Sequence, residues 1–341
     1  KLFIFYCPPW CKVGGNSALR AFPYVFKLAG DVATDSFIAA GLTMNKASSS
    51  QLIGVLFSVC AAFGFSFKAI FVKLAYEQAT VDAITLLMLR MTLSLPFVIL
   101  VALRVLRSGV PLQRRDYLLL LLLGIVGYYG SAILDFMGLR YITAGLERLI
   151  LFTYPALTIL IGVLFLGKRF EKKVLLALAL SWSGILLAFV HDLQISGDMH
   201  SLVLGGGLIA AAALLYAIYN AGSEVAIRRM GSMKFAVLAL LVSSLATQTH
   251  FYLAQPLSAL NLPWQVYLWC GAMALFSTVL PIFWQSAAVQ RIGAERAVLI
   301  GLLGPMLTVF FSWWLLGEPI SLAQIAGTLL VMAGVLVVLR H

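Results

Sequence analysis

The sequence predicts an all-α membrane protein: ten transmembrane helices in two inverted-topology five-helix repeats. Three observations predict it. The composition is too apolar and too sparsely charged to cover a soluble surface, the apolar runs have membrane-spanning length, and one pattern recurs after 150 residues.

Of the 341 residues, 62% are hydrophobic and only 11% charged, and the mean hydropathy is +1.00. A soluble domain sits nearer roughly 45–50% apolar and about 25% charged. Lipid removes the need for a charged exterior. The formal net charge of +11 raises the question of a nucleic-acid partner. The lysines and arginines form no basic stripe, however. They fall in short clusters between apolar runs, so no nucleic-acid partner is expected. Cys7, Cys11, Cys60 and Cys270 have no convincing metal or disulfide context, and no cofactor is expected.

Spans are predicted at 53–75, 83–103, 117–138, 145–166, 173–190, 202–225, 235–254, 265–289, 296–316 and 321–340. A helix needs about 20 residues to cross the hydrocarbon. Pro96, Pro155, Pro281 and Pro305 lie within these spans and are tolerated where neighbouring helices re-satisfy the backbone. A β-barrel would need alternation in segments of about ten residues, and the run Leu118 to Leu123 has none. Basic residues set the orientation. If the core starts inside, the inner loops carry Arg104, Arg107, Arg114, Arg115, Lys168, Arg169, Lys172, Lys173, Arg228, Arg229, Lys234, Arg291 and Arg296. The outer loops hold Arg140 and, near helix ends, Lys73 and Arg148, while those around Asp192–Asp198 and Asn261 carry none. Both ends of the core are therefore expected in the cytoplasm, in a bacterial inner membrane or a plasma membrane. Residues 1–51 fit neither a span nor a signal peptide. They read as a loose or interfacial tail, an unusual extension or a vector-derived remnant.

The recurring pattern divides the core into residues 52–191 and 202–340. Pro155, Gly167 and Gly184 recur as Pro305, Gly317 and Gly334, and Tyr141-Ile142-Thr143-Ala144 lies over Arg291-Ile292-Gly293-Ala294. Five helices is an odd number, so the second unit must enter the membrane from the opposite face. Such repeats suit alternating access around a midplane site. No Gly-rich loop ending in Gly-Lys-Ser/Thr is present, nor a His-Glu-x-x-His or Gly-x-Ser-x-Gly pattern, so ATP-driven transport and hydrolytic chemistry find no support.

On these residues the chain resembles the EamA branch of the drug/metabolite transporter superfamily, over about residues 52–340. The resemblance rests on the helix count, the duplication, and Pro155…Leu166-Gly167-Lys168-Arg169 beside Pro305…Leu316-Gly317-Glu318-Pro319. Lys168 stands where the family commonly has Glu. Arg90, in Leu89-Arg90-Met91, is also familiar there. The resemblance implies an efflux or exchange carrier for amino acids, nucleobases, sugars or other small metabolites, some of which use protons.

Ionised groups at membrane depth are costly and usually face a bundle interior or a cavity. The candidates for substrate binding or coupling are Lys68, Arg90, Tyr129, Asp135, Glu147, Trp284, Gln285 and Arg296. Lys68 meets either a substrate carboxylate or Asp135; snorkelling to an interface competes with both. Lys73 reads as interfacial. Arg90 is too deep to snorkel, and Asp135 is its expected acidic partner. A buried aspartate can also carry a coupling proton. Glu147-Arg148 and Glu295-Arg296 open helices on opposite faces, where first-turn capping competes with a transport role. Tyr128-Tyr129 and Trp284 suit either a pocket for a flat or apolar substrate or packing. Gln285 and Asn220 suit a substrate or an inter-helix hydrogen bond.

The composite reading is a secondary transporter exporting or exchanging a small metabolite such as an amino acid, with a small-molecule substrate, membrane lipids and proton coupling as an open route. A membrane receptor or assembly scaffold with a transporter-like shell is the alternative. Monomer and homodimer both stay open.

Overall fold

The computed structural model describes residues 49–107, 112–166 and 172–339. The chain divides into two units, residues 1–52 and 53–341. Residues 1–48 of the proposed tail, Gly167-Lys168-Arg169 of the first-copy signature, and Arg340 lie outside the described residues; residues 49–51 belong to the first helix.

The described residues are entirely helical between short joints. The helices are α1 (Ser49–Gln78), α2 (Ala83–Arg107), α3 (Arg114–Gly138), α4 (Ala144–Leu151 and Tyr154–Leu166), α5 (Lys172–Ser196), α6 (Met199–Met230), α7 (Ser232–Ala254), α8 (Trp264–Ile292), α9 (Ala294–Leu316) and α10 (Leu322–Leu339). Nine of these are long and apolar enough to cross a membrane. The apolar stretch of α10, Leu322–Val337, is shorter.

Their surfaces are arranged for lipid. Leu118, Phe165, Trp182, Leu245 and Leu253 are exposed, whereas Ser58, Arg90, Asp135, Glu147, Ser243 and Thr308 are buried. The exposed faces are apolar, and the interior, itself mostly apolar, is where the polar and charged side chains are held. Trp264, Trp313 and Trp314 are exposed near helix ends, where indole rings favour the headgroup level.

Several joints follow directly from residue type. Gly231 (φ 85°) and Gly293 (φ 84°) each end one helix and begin the next. That left-handed backbone favours glycine. α4 is broken at Phe152–Thr153, just before Tyr154-Pro155, and α9 at Leu302, just before Leu303-Gly304-Pro305. Proline has no N–H to extend the preceding turn, so it sits in the first turn of a new segment. α3 widens into a π-helix at Leu123–Gly130, and α8 does so at Leu275–Val279. π segments re-aim the residues that follow them and are frequent at functional sites.

Inter-helix contacts use small residues and hydroxyls, as expected where lipid supplies no hydrophobic drive for association. α5 meets α10 at Gly184 and Gly327; a Cβ on Gly184 would lie 2.4 Å from the Gly327 carbonyl oxygen. α1 is laced to α9 by Ser58 Oγ donating to Ala297 O (3.1 Å), Ser66 Oγ to Gly304 O (3.0 Å) and Thr308 Oγ1 to Ser66 O (3.3 Å).

Candidate functional site

Among the helices lies a cavity of about 400 Å³, lined by residues of α1, α2, α3, α4, α6, α8 and α9. Its charged residues are Lys68, Arg90, Asp135 and Arg148, and its polar ones include Asn220, Ser277 and Gln285. Phe65, Tyr128, Phe152, Tyr154 and Tyr216 supply an aromatic wall. Tyr154 and Tyr216 meet edge to face, with ring centroids 4.8 Å apart.

Lys68 is the electrostatic centre. Its Nζ donates to Asp135 Oδ2 at 2.6 Å and to Glu147 Oε1 at 2.9 Å. Asp135 follows the π segment of α3, and Glu147 lies in the first turn of α4. One ammonium thus ties together three helices. Glu147 is not the helix cap. Thr143 is the cap, accepting from Leu146 N at 3.1 Å. Two carboxylates so close together repel unless a cation sits between them, which accounts for the placement of Lys68.

Arg90 follows a different course from the one expected. Its Nε donates to Thr278 Oγ1 in the π segment of α8 at 2.9 Å, and its guanidinium lies 5.6 Å from the centre of the Phe136 ring. Asp135 is paired with Lys68 instead, which corrects the Arg90–Asp135 pairing expected from the sequence. Lys68 projects from α1 between α3 and α4 and reaches both acids; Arg90 is turned toward α8. Arg90 and Asp135 do line the same cavity.

Of the other sequence-derived candidates, Gln285 lines the cavity. Glu147 is fully buried behind Lys68. The Tyr129 hydroxyl pairs with His250 Nδ1 on α7, and Tyr129 is not among the lining residues. Neither are Trp284, which is half-buried, and Arg296, which is exposed. Tyr154 and Tyr216 line the cavity without having been singled out for it, and Arg148, named from the sequence beside Glu147, lines it as well. Tyr216 and Asn220 are four residues apart on α6, and Asn220 Nδ2 donates to Tyr216 O at 2.7 Å. That i, i+4 spacing marks a common face and was the available signal.

A second polar cluster lies farther along α1. Lys73 Nζ is 3.2 Å from Glu318 Oε1, and both Glu318 oxygens accept from Ala144 N at 3.1 Å. Glu318 therefore meets the positive end of α4 as well as a lysine. Nearby, Asp192 Oδ2 accepts from Thr143 Oγ1 at 2.7 Å, and His191 Nε2 lies 3.1 Å from Pro319 O. Lys73, expected at an interface, is thus engaged by the second-copy signature acid.

A multi-span helical membrane protein with a charged, aromatic-walled cavity among its spans has the architecture of a small-molecule transporter. Comparison with known proteins makes the class specific. The model of the EamA-like transporter family matches residues 52–190 and 203–340. The chain is 28% identical over 230 residues to the uncharacterized transporter YyaM of Bacillus subtilis (strain 168), covering 65% of this chain and 73% of that protein. It is 26% identical over 288 residues to the uncharacterized transporter YcbK of the same organism, covering 80% and 88%. It is 26% identical over 239 residues to a probable amino-acid metabolite efflux pump of Salmonella typhimurium (strain LT2), covering 67% and 77%. A solved crystal structure superposes with a TM-score of 0.58 at 19% identity, over 84% of this chain and 96% of the other. The chain belongs to the EamA-like transporter family of the drug/metabolite transporter superfamily.

Proposed function

We propose that the protein is a secondary carrier that exports or exchanges a small metabolite, such as an amino acid or related compound, by alternating access. The observation that carries this reading is the cavity of about 400 Å³ whose wall holds Lys68, Arg90, Asp135 and Arg148 among membrane-spanning helices. Pockets of this size suit small ligands, and charges at membrane depth belong to transport pathways more often than to lipid-facing surfaces. The Salmonella relative, named as a probable amino-acid metabolite efflux pump, supports the direction and the class of solute.

The moving parts in this reading are two inverted five-helix repeats, residues 52–191 and 202–340, with residues 1–51 outside them. Support comes from breaks and widenings that recur at the 150-residue offset. The break at Phe152 in α4 recurs at Leu302 in α9, and the π segment Leu275–Val279 in α8 falls on the end of Leu123–Gly130 in α3. Close contacts recur as well. Gly184 packs on Gly327, and a Cβ on Gly334 would lie 2.7 Å from the Ala177 carbonyl oxygen, again 150 residues on. With both ends of the core in the cytoplasm, the Glu318 cluster closes the outer side. Cysteines introduced near Asp198 and Asn261 should then react with impermeant reagent from outside, and those near Arg107, Lys172 and Arg228 should not. The reverse pattern would invert the orientation.

The deciding experiment is flux. Purified protein in proteoliposomes should release labelled solute with saturation; flux at the level of empty vesicles across a broad panel of metabolites would refute the carrier. Asp135 tests the coupling route. If it carries a proton, Asp135→Asn abolishes uphill transport and spares solute exchange. If it serves only to balance Lys68, protein yield and all transport modes fall together.

A further inference from the structure

The charges of the cavity are unequally committed, and that inequality specifies a ligand. Three cations, Lys68, Arg90 and Arg148, face two carboxylates, Asp135 and Glu147. With both acids ionised the cluster keeps one net positive charge. Lys68 occupies both acids at 2.6 and 2.9 Å. Their other oxygens, Asp135 Oδ1 and Glu147 Oε2, are buried and without a hydrogen-bond partner. An incoming ammonium at either acid would meet charge that Lys68 already balances, and would be repelled by Lys68 itself.

Arg148 is the opposite case. It lines the cavity, yet among the described residues its guanidinium meets no carboxylate. Its Nε is buried without a hydrogen-bond partner. It lies 5.5 Å from the centre of the Phe152 ring. It also fits against α9 because residue 304 is glycine: a Cβ there would be 2.7 Å from Arg148 Nη2. A positioned guanidinium with an unpaired buried N–H is an unfinished hydrogen-bonding site. The group that completes it best is a carboxylate, which accepts two parallel N–H bonds from the planar fork. Tyr154 and Tyr216, in edge-to-face contact, stand on the same wall and suit a flat apolar body.

We propose that the cavity takes an organic monocarboxylate with an aromatic body and no free ammonium, held through its carboxylate by Arg148 and through its ring by Tyr154 and Tyr216. The inference deepens the carrier reading and rests on it for the ligand being cargo. It narrows the solute from amino acids in general to acids that lack the amino group. Arg90, fixed to Thr278, supplies long-range positive potential, and Lys68 keeps the two acids from repelling the anion.

Three probes share a phenylethyl body and differ in their charged groups: 3-phenylpropionate carries a carboxylate, phenylalanine a carboxylate and an ammonium, and phenethylamine an ammonium alone. Binding to the purified full chain in detergent would be followed by thermal stabilisation and by calorimetry. We expect 3-phenylpropionate to bind at least about tenfold more tightly than either amine-bearing probe, equivalent to about 1.4 kcal/mol. Arg148→Gln should erase that preference and Arg148→Lys should retain part of it. Equal or tighter binding of phenylalanine or phenethylamine, or no binding by any probe, overturns the proposal. The comparison on the unmodified protein needs no variant to fold. Flux in proteoliposomes separates the two readings. Anion binding without flux leaves the Arg148 site standing and removes the carrier, while flux of a cationic solute with no anion binding does the reverse.

Discussion

Two lysines on α1, five residues apart, meet carboxylates in contrasting ways. Lys68 bonds Asp135 and Glu147 at 2.6 and 2.9 Å, with side-chain exposures of 15%, 4% and 0%. Lys73 lies 3.2 Å from Glu318, with exposures of 22% and 12%. The deep lysine joins α1 to α3 and α4. The shallower one joins α1 to the segment after α9, through an acid that also holds the start of α4. Depth decides which contact can be remade. Three groups in a low-dielectric site are expensive to separate, because each freed charge lacks water. A partly wet pair exchanges protein for solvent at little cost. The first cluster is therefore suited to hold a shape and the second to open.

The sharpest way to break this comparison is Lys68→Met, which strands two buried carboxylates. The cost expected for removing one partner of a buried ion pair is about 3–5 kcal/mol. It should appear as a large loss of yield and a lower unfolding temperature in detergent. Adding Asp135→Asn and Glu147→Gln should recover much of it, since replacing every charge leaves nothing stranded. A Lys68→Met protein of normal stability would show that the cluster is wet.

Glu318→Gln comes next. It removes the ion pair with Lys73 and weakens the bond to Ala144 N, for a loss of about 1–2 kcal/mol. Its specific signature is conformational. A cysteine replacing Ala132, in the cavity wall, should react faster with impermeant reagent from outside once Glu318 is neutralised. Unchanged labelling would mean that the Glu318 cluster is not a closure. Thr143→Ala tests the neighbouring joint. It deletes the cap on Leu146 N and the hydroxyl bonded to Asp192, at a cost of about 1 kcal/mol, measured by thermal unfolding.

The sequence made the helices legible because spanning a bilayer imposes one plain requirement, a long apolar run. The predicted spans fall within a few residues of the observed helices. Partner choice was not legible in the same way. Arg90, Lys68 and Asp135 were all recognisable as buried, but which pair forms depends on the rotation of α1, α2 and α3 about their axes. The π segment before Asp135 adds to that rotation, and nothing in Leu123–Gly130 advertises it beyond its glycines. Glu147 read equally as a cap or a site residue, since both belong in a first turn; Thr143 proved to be the cap. Arg148 was named beside Glu147 at the start of α4, but the room that Gly304, on another helix, makes for it was not legible. That is a tertiary fact with no local signal.

The smallest expected effect sharpens the depth argument from its shallow end. Arg229 Nη2 lies 3.4 Å from Asp116 Oδ2, with exposures of 34% and 5%. Asp116 has other work, since its Oδ2 accepts from Gln113 N at 2.7 Å in the capping box that begins α3. Removing the arginine leaves that acid with a backbone partner. The remaining loss is an ion pair whose arginine is about one-third exposed and whose contact is long, worth about 0–1 kcal/mol and reduced by salt. Arg229→Gln should therefore shift the unfolding temperature little, and the shift should shrink further at high ionic strength. If the three pairs rank Lys68 above Lys73 above Arg229, burial governs how firmly this protein holds its charges. A loss at Arg229 as large as that at Lys68 would mean that the α3–α6 contact carries strain that distance and exposure do not reveal.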